Sequence, residues 1–221
     1  MFDQIIIGSI GSYDDFGASV AERKVSAPSK KIVKESVPFS NVTHDFSRIN
    51  GEIYWEERTL EYVFEILADS PEELEEKKRP FLAWVMNLME AELHDPFIKD
   101  YHFRATFADM DIDDSEIEKS TITVQFTAYP YMIADEKTVR RFPLTLQEKT
   151  VKIENASNHR IVPTISNDVE CIIKLNGSSY GIPAGSEVYD AFKLEPGENV
   201  LTIQAAEKAG SLLFEFFEEV F

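Results

Sequence analysis

The sequence predicts an all-β chain with one main helix, organised as two successive β-rich domains. Three observations carry this. Side chains of alternating polarity run from Leu60 to Ile66, Tyr101 to Phe107 and Ile122 to Ala128, the period of strands with one buried face. One stretch alone, after Asp69, combines helical spacing with a strong start signal. Beyond Gln147, short apolar runs are separated by turn residues, the pattern of a compact antiparallel sandwich.

Ile5-Ile6-Ile7 forms a first short strand, ended by Gly8-Ser9-Ile10-Gly11. Ser12 to Gly17 (SYDDFG) reads as a polar turn pinned by Tyr13 and Phe16. Asp14 and Asp15 raise a metal site there, but adjacent carboxylates alone are a weak signal, and Asp and Gly are what turns require. Val20 to Val37 is the most basic part of the chain, with Lys24, Lys30, Lys31 and Lys34, and is interrupted by Pro28. It suits an exposed arm or edge hairpin, where lysines discourage unwanted pairing. Pro38 to Asn50 is polar and irregular.

The central stretch, Glu52 to Phe107, organises the first domain. Leu60, Tyr62, Phe64 and Ile66 alternate with Glu61, Val63 and Glu65. Asp69-Ser70-Pro71-Glu72-Glu73 then opens a helix: Ser70 caps, Pro71 fits the first helical position, and Glu73 completes a capping box. Leu74, Phe81, Val85, Leu88 and Met89 recur at helical spacing, widened by Leu82 and Trp84. Pro80 removes a hydrogen bond at roughly 3 kcal/mol, which predicts a kink between Glu76 and Pro80 or a second helix starting at Pro80. Tyr101, Phe103, Ala105 and Phe107 form a returning strand, and the helix covers the apolar face of the sheet. The uncovered face carries Glu61, Glu65, Thr121, Thr123 and Gln125 and meets water or a partner.

Asp109, Asp111 and Asp113 occupy the first, third and fifth positions of a calcium loop. Asp114 stands where that loop needs glycine, however, and Ser120 where it needs a bidentate Glu. The segment reads as a solvated hairpin tip. Ile122, Val124, Phe126 and Ala128 return, and Tyr129-Pro130-Tyr131 ends the ladder. Ala134 to Gln147 is charged and weakly periodic, with Pro143, and places the domain boundary so that residues 1–140 and 141–221 form the two domains. Seven strands follow: Val151-Ile153, Ile161 to Ile165, Val169 to Leu175, Tyr180-Ile182, Glu187 to Leu194, Val200 to Ile203 and Leu212 to Phe217. Asn176-Gly177 marks a hairpin turn and Pro196-Gly197 a type II turn.

The net charge of −18, from 40 acidic against 22 basic residues, argues against gripping nucleic acid or anionic membranes. The single cysteine, Cys171, excludes an intramolecular disulfide and multi-thiolate zinc sites, and its alternation with Val169 and Ile173 makes it a small buried residue. No stretch reaches membrane-spanning length, and the start has no signal-peptide character, so folding in a cytoplasm is expected. His44, His94, His102 and His159 are dispersed, and Ser40, His44 and Asp45 are merely contiguous, which is not how triads are recognised. With no phosphate loop or dinucleotide fingerprint, the chain calls for no catalytic residue, metal or cofactor. Two features suggest assembly instead. One is the regular polar sheet face. The other is the last strand, where Phe214 and Phe216 fill the sandwich while Leu213 and Phe217 point elsewhere; together with Tyr13 and Phe16 these are candidate partner contacts.

Met1-Phe2-Asp3 followed by SYDDFG, the strand at Arg58-Thr59-Leu60, the helix with Trp84 and the closing Tyr129-Pro130-Tyr131 resemble the first domain of siphophage distal tail (Dit) proteins. Asn158 to Pro163 (NHRIVP), Thr164-Ile165, Leu175-Asn176-Gly177 and Leu194 to Asn199 resemble that family's small galectin-like domain. The resemblance covers nearly the whole chain. It implies an N-terminal β-sandwich or belt domain with a helix packed on it, and a C-terminal galectin-like sandwich. It further implies a homo-hexameric ring at the virion tail tip, joining the major tail protein to the baseplate hub or tail-associated lysin, with receptor-binding proteins as further partners. Glu61, Glu65, Thr121, Thr123 and Gln125 then line an acidic lumen through which DNA passes. Two departures bear on receptor-binding partners: the second domain lacks a long insertion, and Pro38 to Asn50 is poor in glycine. The alternative is a carbohydrate-binding adhesion module, although Trp55 and Trp84 both lie in the first domain and leave the second no indole for stacking a sugar.

Overall fold

The computed structural model describes residues 3–36, 39, 41–48 and 51–221. Met1-Phe2 of the family resemblance, Ser40 of the Ser–His–Asp run, and parts of the Pro38–Asn50 segment lie outside the described residues. The chain forms two compact units, Met1–Met132 with Phe221, and Ile133–Val220.

The first unit begins with β1 (Ile6–Ile7) and β2 (Ile10–Gly11), then α1 (Ser12–Phe16) and β3 (Ala18–Val25). SYDDFG, expected as a turn, is thus one short helix, closed by Gly17 at φ 71°, a left-handed value that favours glycine. A detached hairpin, β4 (Lys34–Ser36) with β5 (Thr43–Asp45), follows. β6 (Arg58–Leu67), α2 (Pro71–Met86), β7 (Ala91–His94), β8 (Tyr101–Asp113) and β9 (Lys119–Ala128) complete the unit. The strands order as β2-β1-β7-β8-β9-β6-β3. Leu60, Tyr62, Phe64 and Ile66 are fully buried, as are Ile122 and Val124, while Glu61, Val63 and Glu65 stay half-exposed. α2 lays Leu74, Phe81 and Val85 on that apolar face; Phe81 meets Phe64 edge-on at 5.0 Å.

α2 starts as its sequence dictates. Ser70 Oγ accepts from the Glu73 amide at 3.2 Å, and Glu73 Oε2 accepts from the Asp69 amide at 3.0 Å, one residue upstream of the usual capping-box donor. Of the two alternatives expected at Pro80, a kink or a second helix, the second helix does not occur: one helix runs from Pro71 through Pro80 to Met86. Glu76 and Pro80 are both exposed, so water can reach the carbonyl that Pro80 leaves without a donor. The helix stops earlier than the apolar stripe suggests. Asn87 Nδ2 donates to the Ala83 carbonyl at 2.7 Å, and Met89 lies beyond it, 81% exposed.

The acidic segment expected as a hairpin tip is mostly strand, since β8 runs on to Asp113 and stays paired with β9. A bulge between Phe107 and Asp109 inserts Ala108 and reverses which residues face α2. A second bulge between Val20 and Glu22 does the same in β3. Lys78, on the buried side of α2, fastens the helix to this hairpin: its Nζ lies 2.7 Å from Asp114 and also pairs with Glu75, while Ser120 Oγ donates to Asp114 at 2.6 Å.

β10 (Met132–Ala134) carries the chain across the division. The second unit holds β11 (Thr138–Leu144), β12 (Lys149–Asn155), β13 (Thr164–Asn167), β14 (Cys171–Leu175), β15 (Ser178–Ile182), β16 (Gly185–Val188), β17 (Gly197–Ala205), β18 (Gly210–Phe216) and β19 (Glu219–Val220). Two four-stranded antiparallel sheets, β11-β18-β13-β16 and β12-β17-β14-β15, close over Ile165, Phe192, Leu212 and Phe214 on one side and Ile153, Ile173, Leu201 and Ile203 on the other. The sequence placed its boundary between residues 140 and 141, inside what is here β11; the units divide between Met132 and Ile133. β11 escapes a pattern reading because Arg140, Arg141 and Pro143 interrupt it, and as an edge strand it can carry a proline. The strand expected over Glu187 to Leu194 ends at Val188, after which Leu194 makes an isolated bridge to Ile161. Asn176 (φ 50°) and Gly177 (φ 80°) form the two-residue turn their identities demand.

Two outcomes follow for α2. Pro80→Ala restores a donor to the Glu76 carbonyl and raises stability by about 1 kcal/mol or more in urea unfolding. Asp114 is held below its ordinary range, first by the Lys78 hydrogen bond and then by that of Ser120. A carboxyl lowered by folding stabilises fully above the unfolded value of about 3.9, and that contribution fades as pH falls through the lowered folded value. Asp114→Asn should therefore cost about 1 kcal/mol at pH 7, a figure discounted for the half-exposed carboxylate, and almost nothing once the pH has fallen below the lowered folded value.

Candidate assembly surfaces

The five residues expected on the uncovered face share it. In the β6–β9 register Glu61 stands opposite Gln125, Val63 opposite Thr123 and Glu65 opposite Thr121. The rows continue outward. Asp109, Asp111 and Asp113 of β8 stand opposite Gln125, Thr123 and Thr121, and Lys24, Glu22 and Ser19 of β3 stand opposite Glu61, Val63 and Glu65. The bulges make this possible. Without Ala108 the three aspartates would share the parity of Phe103 and Phe107 on the apolar side of the sheet; with it, Met110 and Ile112 take that side instead, Met110 packing on the core and Ile112 staying exposed.

This face is acidic but partly neutralised. Gln125 Nε2 donates to Glu61 Oε2 at 3.1 Å, and Lys24 Nζ lies 3.7 Å from the same carboxylate. Lys119 Nζ sits 2.9 Å from Glu65, and the Glu65 hydrogen bond raises the lysine's pKa, so it stays charged. Six carboxylates (Glu22, Glu61, Glu65, Asp109, Asp111 and Asp113) thus share the face with Lys24 and Lys119. Alternation with the apolar core marks two of the six, Glu61 and Glu65, in the sequence. The signal for the three aspartates was present as a period of two through Asp109, Met110, Asp111, Ile112 and Asp113.

The four apolar candidates belong to two different units. Tyr13 and Phe16 lie on α1, where Phe16 packs on Phe81 and Trp84 of α2, with ring centroids 6.0 and 5.1 Å away. Leu213 is half-buried on the outer face of β18, between Arg141 of β11 and Ser166 of β13. Phe217 follows β18 and is exposed, with Lys137 Nζ 5.6 Å over its ring. His94 and His102, taken as dispersed, are brought together because the unforeseen β7 pairs with β8; their rings lie 5.1 Å apart. A polar recess of about 200 Å³ in the second unit is lined by Arg160, Tyr180 and Glu195, but these are already engaged. Arg160 pairs with Glu195 at 2.8 Å, and the Tyr180 hydroxyl donates to the Ala191 carbonyl.

No family model matches the chain, and no curated protein sequence does. Solved structures do. The crystal structure of the SPP1 Dit protein (gp 19.1), described as a paradigm of the hub adsorption apparatus in phages infecting Gram-positive bacteria, matches with a TM-score of 0.71 at 13% identity, over 100% of both chains. The chain has the Dit fold. A chain of the phage P2 baseplate in its activated conformation with Ca is also similar, at a TM-score of 0.43 and 8% identity over 97% of this chain and 98% of that one.

Within this Dit fold the structure separates candidates that hold the unit together from candidates free to meet another molecule. Phe16→Ala removes ring contacts with α2 and should destabilise the first unit by about 2 kcal/mol. Phe217→Ala, at an exposed ring, should change stability by less than about 0.5 kcal/mol. Urea unfolding of both variants, followed by tryptophan fluorescence and circular dichroism, checks the contrast.

Proposed function

We propose that this chain is a structural subunit of a phage or prophage tail tip: a ring protein that joins the tail tube to the baseplate hub or tail-associated lysin and leaves a channel for DNA. The full-length match to SPP1 Dit carries the reading, because both units and their order along the chain are included in it. In this proposal six copies form the ring and the first unit provides the belt. The second unit sits outside, where Phe217 and Leu213 are available to receptor-binding or hub proteins. The major tail protein is the neighbour above. The molecule works through its surfaces, with no bond-making step and no membrane contact.

The polar sheet face supports a particular orientation. A sheet whose other side is covered by α2 can turn Glu61, Glu65, Thr121, Thr123 and Gln125, with the three β8 aspartates, toward the lumen. Phosphates repelled by carboxylates do not condense on such a wall, so DNA passes without adhering.

At raised protein concentration, light scattering should report a mass about six times the 25.2 kDa chain, and electron microscopy should show rings. Orientation is read from Thr123→Cys labelled with maleimide-gold. The natural Cys171 is fully buried and its thiol is pushed up to about 11 by burial, so it stays unlabelled near pH 7. Gold inside the ring supports the lumen assignment. Gold on the outer rim, or a thiol blocked at subunit contacts, defeats the assignment while leaving the ring itself standing.

A further inference from the structure

Arg58 opens β6 on its inward side, in line with Leu60 and Tyr62, and is 5% exposed. Its Nε and Nη1 have no hydrogen-bond partner among the described residues. Its guanidinium carbon lies 5.6 Å from the ring centre of Phe103, a contact that stabilises the cation without using those donors. Burial lowers the guanidinium's pKa from its ordinary value, yet arginine remains charged in a protein. A buried charge is ordinarily paired, and two of the donors of this one are not, among the described residues.

Arg58 lines a recess of about 410 Å³ within the first unit, whose other walls include Val25, Pro28, Trp55 and Phe221. The Trp55 and Phe221 rings meet edge-on at 4.7 Å, and Lys30 Nζ lies 5.9 Å over the Trp55 ring. Ser26, also at the recess, is occupied: its hydroxyl donates to the Thr59 carbonyl and accepts from the Thr59 amide. The recess therefore offers an aromatic and aliphatic wall with one unsatisfied cationic group, the composition of a ligand pocket at the small end of the usual size range. Lys30, over the Trp55 ring, adds a second positive charge near the recess in a chain of net charge −18. It also lies at the end of β3, the edge strand of the sheet, where an extended segment can approach.

We infer that this recess binds an acidic side chain adjoining an aromatic one, presented by an extended segment of a partner protein. The carboxylate accepts from Arg58 and the aromatic neighbour packs on Trp55 and Phe221. The site rests on the first unit alone and does not depend on the chain forming a ring.

The test uses the full chain and nuclear magnetic resonance of the Trp55 indole N–H and the Arg58 Nε–H. N-acetyl-Glu-Phe-amide should shift both signals and bind at least about ten-fold more tightly than N-acetyl-Gln-Phe-amide, as expected for a charge-assisted hydrogen bond. Arg58→Gln should reduce that preference to less than about two-fold. The Glu-against-Gln comparison on the unmodified protein stands even where that variant does not fold. Equal binding of the two peptides, or no shift of the Trp55 signal with either, overturns the inference. So does phenylacetate binding as tightly as the Glu peptide, which would make the occupant a small acid instead of a partner segment.

Discussion

The first unit depends on α2 covering one face of the sheet and leaving the other bare. Leu60, Tyr62, Phe64 and Ile66 have no solvent exposure because Phe81 and its neighbours on α2 sit over them. A slip of β6 by one residue would carry Glu61 and Glu65 beneath the helix and turn Phe64 outward. Burying two carboxylates without partners costs far more than any single contact on the surface contributes. Register, helix docking and the polar face are therefore one event. The bulges extend this logic to strands whose plain alternation would violate it: β3 and β8 each carry an additional residue, and each changes parity so that acidic side chains point away from α2.

The same parity change in β3 turns Arg23 inward, opposite Tyr62, and there it finds a partner. Asp95, 2% exposed, accepts from Arg23 Nε at 3.1 Å, the Tyr62 hydroxyl at 3.2 Å and the Phe97 amide at 3.0 Å. Burial first, then the Asp95 charge, raises the tyrosine's pKa, so the phenol stays a donor across the working range. Arg23 also stacks on Phe97, 3.9 Å from the ring centre. Arg58 is the contrasting case on the neighbouring strand. It too points inward and lies over an aromatic ring, yet no carboxylate meets its Nε or Nη1 among the described residues. Arg23 is paired with a buried carboxylate although its Nη2 has no partner among the described residues, whereas Arg58 meets no carboxylate at Nε or Nη1; that pairing separates a structural network from a site awaiting an acceptor.

What the sequence made legible follows from which signals are local. β6, β9 and the first half of β8 alternate without interruption, Ser70-Pro71 announces α2, and Asn176-Gly177 announces its hairpin; each depends on neighbours a few residues away. The misses are places where tertiary pairing overrides composition. Asp109 to Asp113 looks like loop because aspartate favours turns, but β9 supplies a complete partner strand and holds it extended. β7 has only four residues, too few to show a period, and it exists because β1 and β8 flank it. β11 hides behind two arginines and a proline that an edge position tolerates. Among the site candidates, Glu61, Glu65, Thr121, Thr123 and Gln125 were found because they alternate with an obvious core. Arg58 was not, because a charged residue in an inward register looks like the end of a strand.

This pattern accounts for a fold that is clear in coordinates and faint in sequence. A catalytic site constrains a few residue identities strictly, since chemistry needs a given atom at a given distance. A two-faced sheet constrains polarity instead: position 64 must be apolar and position 65 must be wettable, but many side chains meet each requirement. Such constraints hold strand order, bulge placement and helix docking while leaving identities free to differ. A match over 100% of both chains at a TM-score of 0.71 with 13% identity is what that freedom produces. The residues worth most scrutiny are then those the polarity rule does not explain. In the first unit that is a charged side chain held on the apolar side of β6, where an aliphatic residue would satisfy the fold, so the presence of Arg58 asks for a cause outside the fold itself.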